Sequence, residues 1–177
     1  VFDKTGTLTE GRFGVTDVLT LGDLSEEDCL RLAAALESQS EHPIAKGVAR
    51  AAEARQLRLP AVETFRNLTG RGAEATVEGR DIKVVSPGYV REKGLEIQDP
   101  KLDDVSGQGK TLVYLMVDGA VAAAIALADV VRPESREAVE RLKGMGIQCM
   151  MLTGDSRAVA KTVSAELGLD DYFARLD

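Results

Sequence analysis

Asp3-Lys4-Thr5-Gly6-Thr7-Leu8-Thr9, directly behind the apolar pair Val1-Phe2, is the stretch on which the fold reading turns. Val1-Phe2 reads as the tail of a buried strand, and the residues after it as a polar turn. A carboxylate just past a buried strand, followed by a Thr/Gly-rich loop, sits where open α/β sheets place their reactive groups. An aspartate so placed can attack phosphorus and form an aspartyl-phosphate. Backbone N–H groups and hydroxyls after it can hold the phosphoryl oxygens, and a Mg²⁺ can neutralise them. A shorter Asp-Lys-Thr would read as an Asx-turn on a surface loop; seven contiguous residues favour the chemical reading.

The far end of the chain has matching character. Pro133 opens an amphipathic helix that ends near Gly144, Ile147 to Leu152 reads as a buried strand, and a helix from about Arg157 to Leu167 stops at Gly168. Between strand and helix lies Thr153-Gly154-Asp155, where a hydroxyl and a helix N-terminus make an anion site and Asp155 can cap the helix. The middle differs. Helices are expected from Ser25, with Asp28 in a capping-box-like place, and from Pro43 to about Arg55. Ala73 to Val77 and Asp81 to Val85 flank Glu78-Gly79-Arg80, and Thr111 to Val117 and Ala120 to Leu127 flank Asp118-Gly119, the patterns of two hairpins. The expected layout is nested: residues 1–11 and 125–177 form one α/β domain, and 12–124 an antiparallel α+β domain inserted into it.

Composition narrows the function classes. The 177 residues carry a formal net charge of −7, and residues 12–124 hold 14 basic against 18 acidic groups. That is no surface for a phosphate backbone, so nucleic acid is not an expected partner. The longest apolar run, Ala120 to Ala128, has nine residues, against about 20 for a membrane-spanning helix. The first residue is Val rather than Met, which suggests a piece of something longer. Cys29 and Cys149 lie among apolar neighbours with no Cys/His cluster, so they read as buried structural thiols in a reducing compartment. The single histidine, His42, excludes most zinc sites. Gly107-Gln108-Gly109-Lys110-Thr111 imitates the end of a phosphate-binding P-loop, but position 104 is Asp and a strand pattern follows.

DKTGTLT, unbroken from Asp3 to Thr9, resembles the phosphorylation signature of the P-type ATPases. The resemblance implies a haloacid-dehalogenase-like phosphorylation domain, incomplete at its C-terminal end, with an inserted nucleotide-binding domain built on an antiparallel sheet. It implies that ATP phosphorylates Asp3, that Lys4 belongs to the same catalytic loop, and that Asp3 and the Thr5 carbonyl hold Mg²⁺. Thr153, Gly154 and Asp155 resemble the second phosphate motif. Asp129 and Arg132 resemble the second crossing between the domains, as a hinge or as a surface salt bridge. Soluble phosphatases of the superfamily carry a second aspartate where this chain has Thr5; a threonine activates water poorly, so the acyl-phosphate should persist. A lysine and the GDGxNDxP aspartates of the family are expected beyond Asp177.

Ser40-Glu41-His42-Pro43 resembles the SEHP element of the heavy-metal-transporting subclass. In that subclass the histidine orients ATP, and Glu37, Gly70 and Gly72 match other nucleotide-binding positions. A glutamate can accept from the adenine amino group, and glycines admit close backbone approach. Ser86 stands where the subclass carries the asparagine of a Gly-Asn pair, with Val85 replacing the glycine. The implied parent is a metal exporter of a bacterial or archaeal membrane, with transmembrane and actuator domains and this region on the cytoplasmic side. Copper is the expected cargo from the likeness of Gly11 to Asp17 and Ala35 to Val48 to copper exporters; zinc, cadmium and lead pumps share SEHP. The alternatives are a soluble phosphatase of the same superfamily and a non-catalytic nucleotide-binding module.

Overall fold

Two tight turns set the register of the larger sheet. Glu78 and Gly79 have φ of 52° and 71°, and Asp118 and Gly119 have 50° and 85°. Positive φ at both central residues is the two-residue hairpin geometry whose twist matches that of the flanking strands. The computed structural model describes residues 1–95 and 97–174. The chain divides into two compact units: the described residues of Phe13–Asp103 with Thr111–Ala128, and Val1–Arg12 with Asp104–Lys110 and the described residues from Asp129 onward.

In the first of these, strands β2 (Thr9–Thr20), β3 (Val62–Leu68), β4 (Gly72–Val77), β5 (Arg80–Val85), β6 (Thr111–Val117) and β7 (Ala120–Val131) form a sheet of order β2-β7-β6-β5-β4-β3. The hairpin β4–β5 pairs Val77 with Arg80, so the turn is Glu78-Gly79 and Arg80 already belongs to the strand. Helices α1 (Glu26–Glu37) and α2 (Pro43–Ala54) cover one face. Ser25 caps α1 by accepting from the Asp28 N–H at 3.1 Å. Cys29, Leu30, Leu32, Leu36 and three alanines of α1 are buried. The apolar run Cys29 to Leu36 therefore packs α1 against the sheet and α2, while its acidic first turn stays exposed. Gly47 lets α2 come close: a Cβ there would stand 2.8 Å from the Phe13 carbonyl oxygen. On the other face, α3 (Pro87–Glu92) contributes Val90, and Leu102 of α4 (Pro100–Gly107) joins it over Val85, Tyr114 and Met116.

The other unit holds a three-stranded parallel sheet, β1 (Phe2–Asp3), β8 (Met150–Leu152) and β9 (Asp171–Phe173), in the order β1-β8-β9. Helix α5 (Pro133–Gly144) starts with proline in its first turn, where the missing N–H costs nothing. Helix α6 (Arg157–Leu167) ends at Gly168 with φ of 65°. Leu8, Met151, Ala160, Val163 and Leu167 form the core.

Several expectations are corrected here. The strand expected from Ile147 begins only at Met150; Ile147 is 46% exposed and Gln148 is exposed, so neither has a sheet face to bury. Val1 is exposed and Phe2 half-buried, because β1 is paired on one side only among the described residues. Helix α6 is capped by Ser156, which accepts from the Val159 N–H, and not by Asp155. The P-loop look-alike follows α4 and precedes a strand, as its spacing indicates. A Cβ on Gly109 would meet the Val159 backbone nitrogen at 2.7 Å, and the Gln108 carbonyl accepts from the Thr162 hydroxyl. No phosphate cradle is open there.

Candidate functional site

Parallel pairing of β1 with β8 puts Asp3 opposite Leu152. Asp3 and Thr153-Gly154-Asp155 therefore leave adjacent strands at the same carboxyl edge, where α/β sheets bind ligands. Asp3 is exposed at the end of β1, and the chain then turns over Lys4–Leu8. Thr5 stays extended within that turn, and Gly6 takes φ of 81°, a conformation only glycine adopts without strain. Thr9 closes the turn, its hydroxyl 3.0 Å from the Lys4 carbonyl.

Lys4 goes inward. Its side chain is 5% exposed, and Nζ lies 3.0 Å from Asp129 Oδ2 and 2.9 Å from Asp155 Oδ2. Burial alone would lower its pKa; hydrogen bonds to Asp155 and Asp129, with their charges, outweigh burial and hold it above the usual lysine value. One ammonium thus ties the first loop to the second. The Thr153 hydroxyl donates to Asp155 Oδ2 at 3.1 Å and accepts from the Asp155 N–H at 3.1 Å. That leaves the Asp155 carboxylate committed to Lys4 and Thr153.

Asp129, which the sequence left as hinge or surface pair, is neither on the surface nor singly paired. Its side chain is 14% exposed and accepts from Lys4, from the Thr9 hydroxyl at 2.6 Å and from the Arg12 N–H at 3.1 Å. Arg132 extends the brace: its Nε donates to the Thr9 carbonyl at 3.1 Å and its N–H to the Leu8 carbonyl at 3.0 Å. Asp129 and Arg132 are the organising residues that sequence reasoning did not assign to the loop. Their signal was the polar Asp-x-x-Arg stretch, whose partners lie more than a hundred residues away.

The larger-sheet unit carries a cavity of about 530 Å³, within the roughly 300–1,000 Å³ range of small-molecule sites. Glu37 at the end of α1, Ser40, and His42 and Ile44 at the start of α2 form one wall. Asn67 to Ala73 and Val84 to Ser86 form the other, over Val113. Glu37, His42, Gly70, Gly72 and Ser86, spread along the sequence, all line this one space.

Their physical situations differ. Glu37 is 8% exposed, and burial pushes its pKa up to about 7. A carboxyl in that range presents an O–H donor beside a carbonyl acceptor when protonated. His42 is the N-cap of α2; its Nδ1 accepts from the Ile44 N–H at 3.3 Å, which leaves Nε2 as the free ring atom. Ser86 precedes α3 and donates its N–H to the Arg71 carbonyl at 2.8 Å, its hydroxyl making no cap bond. Gly70, with φ of 69°, has open space where a Cβ would be. Gly72 has a structural need for glycine besides its place in the cavity wall. A Cβ there would lie 2.0 Å from the Val84 carbonyl oxygen, so glycine is demanded by the pairing of β4 with β5, whatever binds nearby.

The geometry can be set beside known proteins. The haloacid dehalogenase-like hydrolase family model matches residues 1–177. The copper-exporting P-type ATPase B of Archaeoglobus fulgidus is 55% identical over 176 residues, 99% of this chain and 25% of that protein. A crystal structure of a zinc-transporting PIB-type ATPase matches with TM-score 0.87 at 34% identity, over 99% of this chain and 28% of that one. The N-domain of a copper-transporting P-type ATPase matches with TM-score 0.53 at 32% identity, over 65% of this chain and 99% of that one. The chain spans about a quarter of the length of the curated relatives it matches. With an aspartate at the carboxyl edge of a parallel sheet and a match along the whole sequence, the chain belongs to the haloacid dehalogenase-like hydrolases and is homologous to the copper-exporting P-type ATPases.

Proposed function

We propose that the chain is the ATP-binding and phosphorylation region of a heavy-metal-exporting P-type ATPase, with Asp3 as phosphoryl acceptor. The observation that carries this is the unbroken Asp3–Thr9 signature on a strand whose end is paired with the strand leading into Thr153-Gly154-Asp155. In the step proposed, an Asp3 carboxylate oxygen attacks the γ-phosphorus of ATP. The bond from that phosphorus to the β,γ-bridging oxygen breaks, and ADP leaves. The start of α6 supplies backbone hydrogen-bond donors toward the transferred group, and Thr153 holds the Asp155 side chain beside it. Lys4 offsets one of the two negative charges of Asp129 and Asp155, lowering the negative charge an incoming phosphate would meet.

The Asp3 carboxylate and the Thr5 carbonyl are hard oxygen donors of the type Mg²⁺ takes. Among the described residues no cluster of three acidic or imidazole ligands stands ready for a metal. Mg²⁺ commonly uses one or two protein oxygens and fills its shell with water and phosphate. When bound, Mg²⁺ would neutralise charge on the transferred phosphoryl group.

The cavity beside Glu37 and His42 is the proposed ATP site, Glu37 meeting the adenine edge. Copper is the proposed cargo of the intact protein, supported by the 55% identity to a copper exporter and by further copper exporters among its relatives. The partners are then the transmembrane and actuator domains of one membrane protein, with this region on the cytoplasmic side.

Two measurements test the reading. Calorimetric titration of the chain with a non-hydrolysable ATP analogue should show saturable binding that Asp3→Asn leaves unchanged. In the intact pump, γ-labelled ATP should leave a hydroxylamine-sensitive label that Asp3→Asn abolishes. Label persisting in that variant would overturn the assignment of Asp3.

A further inference from the structure

Among the described residues lining the cavity, Glu37, His42 and Arg71 are ionisable, and Arg71 carries the one permanent positive charge. It stands between Gly70 and Gly72 on the turn joining β3 to β4. The backbone of that turn is held on both sides: the Arg71 N–H donates to the Leu68 carbonyl at 2.8 Å, and the Arg71 carbonyl accepts from the Ser86 N–H at 2.8 Å. Its side chain is not held in the same way. The guanidinium is 53% exposed, with Nη2 3.0 Å from Oε2 of Glu92 on α3, which is 56% exposed.

An ion pair between two solvent-exposed groups is weak and screened by salt. A phosphate group offers a guanidinium two parallel charge-assisted bonds, and a polyphosphate brings several negative charges where Glu92 brings one. A backbone held on both sides and an exposed guanidinium at the cavity wall are the arrangement that lets such an exchange occur without moving the sheet. Resting on the nucleotide reading of this cavity, we infer that Arg71 binds the polyphosphate chain of the nucleotide and that Glu92 is the partner it exchanges. The ligand class selected is a nucleoside di- or triphosphate; a bare nucleoside gains nothing from Arg71.

The test is calorimetric titration of the 177-residue chain with the non-hydrolysable ATP analogue and, separately, with adenosine. Arg71→Ala should weaken the analogue about tenfold and leave adenosine within about twofold, with the analogue's salt dependence reduced. Arg71→Lys should fall between wild type and Arg71→Ala. Glu92→Gln should tighten the analogue about threefold by releasing the cation and leave adenosine unchanged. Equal losses for both ligands in Arg71→Ala would mean the residue only shapes the turn, and would overturn the inference. Weaker analogue binding in Glu92→Gln would overturn it as well. Wild-type binding with both Arg71 variants unaffected removes this inference alone, whereas no saturable binding by wild type removes the nucleotide reading with it.

Discussion

Glu37→Gln isolates the titration of one buried carboxyl. Glu37 is 8% exposed, and its pKa rises from 4.5 to about 7 through desolvation, with no cation named against it. The folded chain therefore holds this proton more tightly than the unfolded chain does. Stability from this group is greatest below pH 4.5, falls between 4.5 and about 7, and levels off above that. Each pH unit between the two values is worth about 1.4 kcal/mol, so the full span comes to about 3–4 kcal/mol. Between pH 5 and pH 8 the expected loss is about 2.5 kcal/mol, because part of it has already occurred at pH 5. Glutamine keeps the volume and the hydrogen-bonding pattern of the neutral acid but does not titrate. Urea unfolding of both proteins across that interval should show the variant gaining on wild type as pH rises, at equal m-values. Parallel pH profiles, or a gain toward acid, would refute the argument that burial governs this residue.

Lys4→Met should destabilise the chain by about 2–3 kcal/mol in urea unfolding, because it leaves Asp129 and Asp155 facing one another without their shared cation. Gly47→Ala would ordinarily stabilise a helix, yet here it should lower stability by about 1–3 kcal/mol, since the new methyl meets the Phe13 carbonyl. Thermal melting will show the sign. Gly70→Ala and Gly72→Ala should separate in the same assay. The first costs about 1–2 kcal/mol for its positive φ alone, and the second considerably more because its Cβ collides with β5.

Local chemistry was legible in the sequence where its cause is local. Asp118-Gly119 and Glu78-Gly79 announce their turns because the required φ values belong to those residues themselves. The Asp3–Thr9 loop is legible because its polar residues are contiguous behind a strand. Five residues between 37 and 86 converge on one cavity, and there a family pattern supplied what periodicity could not. The rest depends on contacts distant in sequence. Asp129 acquires its partners across a separation of 117 residues or more, and nothing near it reveals them. That Gly72 must also be glycine to clear the Val84 carbonyl of β5 is visible only once β4 and β5 are paired. Helix α6 could begin at Asp155 or Ser156 by composition; Lys4 claims the aspartate, and the serine takes the cap. Strand β9 and the full length of β2 were not read, because three residues carry no period and β2 mixes glycine and polar residues into its alternation.

The contact between Arg12 and Asp129 has a bearing on the order of assembly. Arg12 ends the first stretch of the smaller-sheet unit and Asp129 begins its last, and a 3.1 Å hydrogen bond joins them across 117 residues. For a disordered connection of that length, bringing the ends together would cost about 4 kcal/mol in chain entropy beyond the constant term. The connection here is not disordered. β2 and β7 are neighbouring strands of a sheet with its own core, so once that sheet forms, Thr9 to Arg12 and Asp129 arrive already side by side. Folding of the sheet that holds β2 and β7 thus shortens the search of the Asp3 and Asp129 stretches for each other, and the loop bearing Asp3 is expected to acquire its shape last.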